Sequence, residues 1–371
     1  MKYRVLDVMN DALGLVKKSD LVGATALIRS ALSGEPAPDA ENSDLDAGRP
    51  PMATILPPPR RPLGETLRAL RARPFPPPAD PVSPPEPPPE LGERFLKRAY
   101  RGPAGSLAYR LYVPADHERR ELALVLMLHG CSQNPEDFAL GTRMNGLAEE
   151  FGLIVAYPHQ PRRANPNGCW NWFDRRHQNR GQGEPAKLAG LAQALAKEFD
   201  IRRGRVFAAG LSAGGAMAEI LAEAYPDVFE AVGIHSGLPY KSAADVPSAF
   251  AAMKGTTTFE PQPLAAGARR CRKIIFHGLA DGTVSPVNGE RILDEVERGD
   301  ASLVRSELDW PIEGGRVSRV VLKNGHGATG AEQWLVEGGG HAWFGGDPRG
   351  SYTQAVGLDA SRVMVRFFLV E

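Results

Sequence analysis

The sequence predicts an α/β fold with a mostly parallel, twisted sheet and helices on both faces, and three observations support this. Several short runs are continuously apolar, as strands buried on both faces are. Segments with helical periodicity separate these runs. Hydrophobic residues make up 42% of the 371 residues, which is enough for a sizeable core. Strands and helices that alternate in this way build a parallel sheet covered on each side.

The first part of the alternation predicts four strands and three helices. The strands are 107–114, 122–130, 153–158 and 205–210. The helices lie around "NGLAEEFG", at 186–199, and from Ala213 to Pro226, where proline cannot continue a helix.

The second part continues the pattern and then departs from it. "FEAVGIHSG" and 272–278 are predicted strands, and "NGERILDEVE" is a predicted helix. Two strand-like runs follow, "RVSRVVLK" and "AEQWLVEGG", joined by "NGHGATG". A closing helix is expected from about Tyr352 to Leu369.

The N-terminal quarter has a different character. Apolar stripes predict a helical hairpin over residues 1–34, which either docks on the main domain or a second subunit, or recruits a hydrophobic partner such as a polymer granule. Residues 35–92 hold more than half of the 33 prolines and predict an extended linker, with a ligand for a proline-binding module as the alternative. The catalytic domain is expected at 93–371.

Charge and cysteine content exclude several classes of protein. Lysine plus arginine equal aspartate plus glutamate at 44 each, so no net field indicates nucleic acid as a partner. No run is long and apolar enough to span a membrane. Asp7 and Asp11 interrupt the only signal-like stretch, which favours a cytoplasmic location. The three cysteines lack metal-site spacing, and no cofactor or metal motif is present.

The segment "AAGLSAGGAM" carries the first candidate catalytic residue. Gly-x-Ser-x-Gly alone is a weak signal, but Ser212 lies where a buried strand ends and a long helix begins. A nucleophilic serine on a strained turn requires this context. The helix that starts at Ala213 also directs its N–H groups towards charge that develops near Ser212.

The nucleophile needs an acid and a base, and these follow it in the chain. Asp281 lies three residues past the end of the predicted strand 272–278, where it can accept a hydrogen bond from a histidine. Asp294 and Glu295 are the alternatives, but they fall on the next helix. His341, in flexible glycines after the last predicted strand, is the expected base. His326 lies in the preceding turn and is expected at the surface.

An oxyanion requires two backbone donors. One is the N–H of Ala213, and the second is expected from Cys131 or Ser132 in "LHGCSQN". His129 and His277 are expected to form structural hydrogen bonds rather than to act in catalysis.

Five ordered motifs resemble a known family. "HGCSQN", "GCWNWFD", "GLSAGGAM", "HGLADGTV" and "GGGHAWFGG" are similar to those of polyhydroxybutyrate depolymerase-type esterases, which are related to feruloyl and acetylxylan esterases of the α/β-hydrolase fold. The resemblance covers residues 93 to 371. It implies Ser212 as nucleophile, Asp281 as acid and His341 as base. It further implies an oxyanion hole near Cys131, a possible Cys131–Cys169 disulfide, and frequent secretion.

The expected function is therefore ester hydrolysis through an acyl-enzyme. Short 3-hydroxybutyrate oligomers are the first-choice substrate, and hydroxycinnamoyl or acetyl esters on plant polysaccharide are the runner-up. A polymer-binding protein with incidental hydrolysis and a peptidase are further alternatives. Four aromatic residues are candidates for the substrate-binding site, although we expect Trp170 to pack in the core: Trp170, Trp172, Phe173 and Trp343.

Overall fold

A computed structural model of the chain describes residues 92–257, 270–312 and 315–369. All of them belong to one compact unit, Pro81–Glu371. The predicted hairpin at 1–34 and nearly all of the predicted linker at 35–92 lie outside the described residues.

The strands form one large sheet and one small one. The ten-stranded sheet has the order β1-β2-β4-β3-β5-β6-β7-β10-β9-β8, and β11 and β12 form the two-stranded sheet. The strands are β1 Phe95–Gly102, β2 Gly105–Tyr112, β3 Ala123–Leu128, β4 Leu153–Pro158, β5 Val206–Leu211, β6 Ala231–His235, β7 Arg272–Gly278, β8 Val304–Ile312, β9 Gly315–Lys323, β10 Thr329–Val336, β11 Trp343–Phe344 and β12 Thr353–Gln354.

Six neighbouring strands, from β4 to β10 in sheet order, are parallel. Antiparallel strands complete each side, β1 and β2 at one edge and β9 and β8 at the other. Since parallel strands share a direction, β3, β5, β6, β7 and β10 all end at the same edge of the sheet. The loops that carry the candidate residues leave from this edge.

The central strands β3 and β5 are apolar along their whole length because helices cover both faces. In β3, Leu124, Leu126 and Leu128 belong to the core on one face of the sheet. Val125 and Met127 alternate with them and belong to the core on the other face. A period of two in a continuously apolar strand places side chains in both cores.

Seven α-helices are present among the described residues. They are α1 Pro135–Thr142, α2 Met144–Phe151, α3 Gly183–Glu198, α4 Ala213–Ala224, α5 Val246–Met253, α6 Val287–Gly299 and α7 Ala360–Leu369. Residues of α3 to α6 pack in the core on one face of the sheet, and residues of α1, α2 and α7 pack on the other. The predicted α/β fold with helices on both faces is therefore confirmed.

Several elements differ from the prediction, and α1, α5, β11 and β12 were not expected at all. The closing helix begins at Ala360 rather than near Tyr352, because residues 353–354 pair with 343–344 as β12 and β11. The edge strands β1 and β8 were not expected. Most of their side chains are exposed, so no apolar run marks them in the sequence.

No helix within the described parts of the chain is long and apolar enough to cross a membrane.

Candidate active site

Ser212 occupies a strained turn between β5 and α4. Its φ and ψ are 58° and −118°, which a residue with a side chain rarely adopts, and its N–H donates to the His235 carbonyl at 2.9 Å. The turn also requires glycine on both sides. A Cβ on Gly214 would lie 2.0 Å from the Leu128 carbonyl oxygen, and one on Gly210 would lie 2.4 Å from Gly214. These contacts are the physical reason for the Gly-x-Ser-x-Gly pattern.

Asp281 lies in the loop that follows β7, and both of its carboxylate oxygens are bound. Oδ1 accepts the N–H groups of Thr283 at 2.9 Å and Val284 at 2.8 Å, and Oδ2 accepts His341 Nδ1–H at 2.8 Å. Burial alone would raise the pKa of this carboxyl. The polar contacts of the carboxylate, with His277 Nε2 3.5 Å from Oδ2 and the hydrogen bond from His341, outweigh burial and hold the pKa below its ordinary value. Asp281 is therefore a carboxylate at neutral pH.

His341 lies in the 337–342 loop, between β10 and β11. Because Nδ1 carries the proton donated to Asp281, Nε2 has a free lone pair, as a general base needs. His341 and Ser212 line the same cavity. Among the described residues no hydrogen bond joins the two side chains, and in enzymes without bound substrate this contact is often long. His326, in contrast, is exposed in the turn between β9 and β10.

Two backbone N–H groups are available next to Ser212. The N–H of Ala213, the first residue of α4, has no hydrogen-bond partner among the described residues, and neither has the N–H of Cys131. The Ser132 N–H donates to the Asn167 carbonyl at 2.8 Å. The assignment of Ser132 as an alternative oxyanion donor is therefore wrong, since its N–H is already occupied.

The 130–133 loop, which contains Cys131, is fastened to the segment 159–171. A disulfide with an S–S distance of 2.08 Å joins Cys131 to Cys169. His129 precedes the loop, donates from Nδ1 to the Gly130 carbonyl, and accepts the Gln160 N–H at Nε2. Burial lowers the pKa of His129 to about 4, so the ring is neutral and acts as a structural hydrogen bonder.

Ser212 and His341 open into a cavity of about 790 Å³. Trp172 and Phe173 line one part of it, and α5 lines another with Val246 and Phe250, which are 52% and 62% exposed. Sequence reasoning missed α5. The i, i+4 spacing of these two side chains in "VPSAFAAM" is the signal that could have found it.

Two of the predicted substrate-binding tryptophans do not line this cavity. Trp343 is 1% exposed, stacks on His235, and donates from Nε1 to Ser361 Oγ at 2.9 Å. It is a core residue, so its assignment as a substrate-site wall is wrong. Trp170 is fully buried and donates to the His129 carbonyl at 3.1 Å. It packs in the core, as we expected for this residue.

No cluster of three or more His, Cys, Asp or Glu side chains suited to a metal ion occurs in the described parts of the chain. The arrangement can instead perform nucleophilic chemistry. It combines a strained serine, a histidine bound to a carboxylate, and two unoccupied backbone donors around one cavity.

Comparison with known proteins assigns the chain to a family. The family model described as Esterase PHB depolymerase matches residues 107–301, more than half of the chain. The chain belongs to this family. The match includes Ser212 and Asp281, whereas His341 lies beyond it. In fold, the chain resembles the acetyl xylan esterase from Aspergillus awamori, with a TM-score of 0.57 and 18% identity over 73% of this chain and 98% of that one.

Relatives that are similar in sequence have the names of ester hydrolases. Poly(3-hydroxyalkanoate) depolymerase C of Paucimonas lemoignei is 31% identical over 59% of this chain and 54% of its own length. Feruloyl esterase B of Neurospora crassa is 30% identical over 47% of this chain and 64% of its own. Feruloyl esterase B of Thermothelomyces thermophilus is 32% identical over 50% and 67%. The chain thus spans between about half and two thirds of these relatives.

Proposed function

We propose that this protein is a serine ester hydrolase that works through an acyl-enzyme. The observation that carries the proposal is the hydrogen bond between His341 and Asp281 at the cavity where Ser212 stands on its strained turn. Membership of the Esterase PHB depolymerase family supports the same reaction class.

In the first half-reaction Ser212 Oγ attacks the ester carbonyl, and His341 Nε2 takes the hydroxyl proton. Asp281 is already bound to Nδ1–H and stabilises the imidazolium that forms. The carbonyl oxygen becomes an oxyanion, which the N–H groups of Ala213 and Cys131 receive. The imidazolium then protonates the departing alcohol, leaving the acyl group on Ser212.

The second half-reaction repeats these steps with water. His341 Nε2 removes a proton from the water as it attacks the acyl-enzyme. The same two donors stabilise the second oxyanion. Collapse of this intermediate releases the carboxylic acid and returns the proton to Ser212.

Oligomers of 3-hydroxybutyrate are the proposed substrate. A relative named as a poly(3-hydroxyalkanoate) depolymerase supports this choice. The cavity supports it as well, because its volume of about 790 Å³ accommodates more than one small ester unit and α5 adds an apolar wall at its mouth.

A hydroxycinnamoyl ester is the second candidate, and a different observation favours it. The cavity wall contains aromatic rings that could stack on an aryl acyl group, namely Trp172, Phe173 and Phe250. Two relatives are named as feruloyl esterases.

Replacement of the nucleophile tests the reaction class. In Ser212→Ala, turnover of p-nitrophenyl butyrate should fall by about 10⁴- to 10⁶-fold, because the remaining groups cannot form an acyl-enzyme. Ser302→Ala is the matched control, since Ser302 is exposed and does not line the cavity. Hydrolysis by Ser212→Ala within tenfold of the parent rate would refute the proposal.

A substrate panel then tests the substrate class. It compares kcat/KM for 3-hydroxybutyrate oligomers, amorphous polymer, methyl ferulate and acetylated xylan. The proposal expects the oligomers to rank first. Methyl ferulate in first place would instead establish the second candidate.

A further inference from the structure

His235 is fully buried at the end of β6 and does not line the cavity, yet it contacts both halves of the candidate active site. Its carbonyl oxygen accepts the N–H of Ser212 at 2.9 Å. Its imidazole Nε2 accepts the N–H of Phe344 at 3.2 Å. Phe344 lies three residues after His341. His235 therefore binds both the turn at Ser212 and the segment that follows His341.

The direction of the second hydrogen bond defines the state of the imidazole. A backbone N–H can only donate, so Nε2 must present its lone pair to Phe344. The ring proton is then on Nδ1, where it faces Ser236 Oγ at 3.3 Å. Burial lowers the pKa of His235 well below its ordinary value, which keeps the ring neutral. A neutral imidazole protonated on Nδ1 satisfies both contacts.

The Phe344 N–H has no alternative partner on its own small sheet. On either side of it, Trp343 donates to the Tyr352 carbonyl at 2.7 Å and Gly345 donates to the Gln354 carbonyl at 2.9 Å. Successive residues of a strand point in opposite directions, so the N–H between these two points away from β12. His235 meets it there.

Three aromatic rings prevent the imidazole from turning away. Phe276 stacks on it with ring centroids 5.7 Å apart, Trp343 stacks at 5.1 Å, and Phe344 meets it edge-on at 4.4 Å. Two of these rings belong to the strand that directly follows the base. An apolar side chain could fill the same space, but it would leave the buried Phe344 N–H without an acceptor.

The 337–342 loop depends on such attachments because glycine makes up half of it. At the end that leaves β10, the Gly339 carbonyl accepts the Ala280 N–H at 2.9 Å, and Gly340 donates to the Gln354 side chain at 2.8 Å. At the end that enters β11, the imidazole of His235 supplies the corresponding hydrogen bond.

We propose that His235 is a positioning residue that holds the His341 loop in register with the Ser212 turn, through its hydrogen bond to Phe344. This inference rests on the proposed ester hydrolysis, in which a proton passes between Ser212 and His341. A displacement of about 1 Å between such groups can reduce turnover about 100-fold.

The test compares two replacements of similar size. His235→Gln keeps an oxygen that can reach the Phe344 N–H, whereas His235→Leu fills the space without an acceptor. We expect kcat for p-nitrophenyl butyrate to fall roughly 10- to 100-fold in His235→Leu, with KM within about threefold, and to recover at least half of that loss, on a logarithmic scale, in His235→Gln. The exposed His326→Leu is the control.

Equal kcat in the Gln and Leu variants, or parent-like kcat in His235→Leu, would overturn the inference. If His235→Leu does not fold, His235→Asn replaces it, since its amide is too short to reach Phe344. Hydrogen exchange of the segment 338–345 gives a readout independent of catalysis, and faster exchange in the variant without an acceptor than in His235→Gln is required. A parent protein that hydrolyses no ester would refute the proposed function, while the exchange result would still decide the role of His235.

Discussion

Two loops serve Ser212 from opposite sides, and they are held in different ways. The 130–133 loop is joined to its neighbour by the Cys131–Cys169 disulfide and by the hydrogen bond from the Ser132 N–H to the Asn167 carbonyl. The 337–342 loop has no covalent attachment and depends on hydrogen bonds to Asp281, Gln354 and, through Phe344, His235.

The difference corresponds to what each loop must do in the proposed reaction. The N–H of Cys131 has to remain aimed at one point in space, and a rigid donor stabilises an oxyanion best. His341 has to exchange protons with Ser212, the alcohol and water in turn, which requires a defined tautomer as well as a defined position. The 130–133 loop, which carries the oxyanion donor and is called the donor side below, is therefore held by a disulfide. The 337–342 loop, which carries the base and is called the base side below, is held by hydrogen bonds.

The largest expected effect comes from removing the Asp281 carboxylate, which binds His341 on the base side. Asp281→Asn cannot hold His341 as the Nδ1–H tautomer, so kcat should fall by about 10⁴-fold with little change in KM. Steady-state kinetics with p-nitrophenyl butyrate measure this. Asp294→Asn, on the neighbouring helix, should leave kcat unchanged. A loss of less than tenfold in Asp281→Asn would show that this carboxylate does not orient the base.

Breaking the donor side should have a smaller effect on catalysis and a clear effect on stability. In the double variant Cys131→Ser, Cys169→Ser the loop is freed, and kcat should fall about tenfold, since the donor is loosened rather than removed. Loss of a disulfide that spans 38 residues should lower the free energy of unfolding by about 2–4 kcal/mol. Urea denaturation measures the second effect, and the exposed Ser302→Ala is the control.

Acid should destabilise the donor side through His129. Its pKa is about 4 in the folded protein and about 6.5 when unfolded, so protonation favours the unfolded chain. The stability contributed by the neutral ring is fully present above pH 6.5 and is lost as the pH falls towards 4. Between pH 7.5 and pH 5 the loss is about 2 kcal/mol. In His129→Asn, the free energy of unfolding measured by urea denaturation should fall by about 2 kcal/mol less between these two pH values than in the parent protein. An equal fall in the two proteins would contradict the assignment.

The smallest expected effects distinguish two tryptophans. Trp172→Phe trims a cavity wall and should raise KM a few-fold. Because Trp172 is itself only 6% exposed, the variant should also lower the free energy of unfolding by about 1–2 kcal/mol. Trp343→Phe loses only a hydrogen bond to Ser361 and some volume in the core. It should lower the free energy of unfolding by about 1–2 kcal/mol and leave KM unchanged. A changed KM in Trp343→Phe would show that this residue contributes to the substrate-binding site after all.

The local signals in the sequence predicted the central part of this molecule well. The predicted strands 153–158 and 272–278 coincide with β4 and β7, because the middle of a strand covered on both faces is mostly apolar and leaves a recognisable run, here "LIVAY" and "IIF". The edge strands escaped prediction for the opposite reason. The residues of β8 are mostly exposed and therefore resemble a loop in composition.

The directions of two tryptophan side chains could not be predicted from the sequence. Trp172 and Trp343 both stand beside candidate functional residues in the sequence, but one lines the cavity and the other packs between Phe138 and His235. Sequence proximity to a loop residue does not define which way a side chain turns. That direction depends on the pairing of β11 with β12, which are separated by eight residues and are only two residues long, too short to show a periodic pattern.

By itself, the sequence determined the parallel sheet, the turn at Ser212 and the chain order of serine, acid and histidine, because burial and glycine requirements leave local patterns. Only the tertiary structure decided which backbone donors are unoccupied and how the base loop is held. The N–H of Ser132 is occupied by Asn167, and the imidazole of His235 meets Phe344, 109 residues away. Such contacts depend on the directions of donors and acceptors brought together by folding, and no short stretch of sequence records those directions.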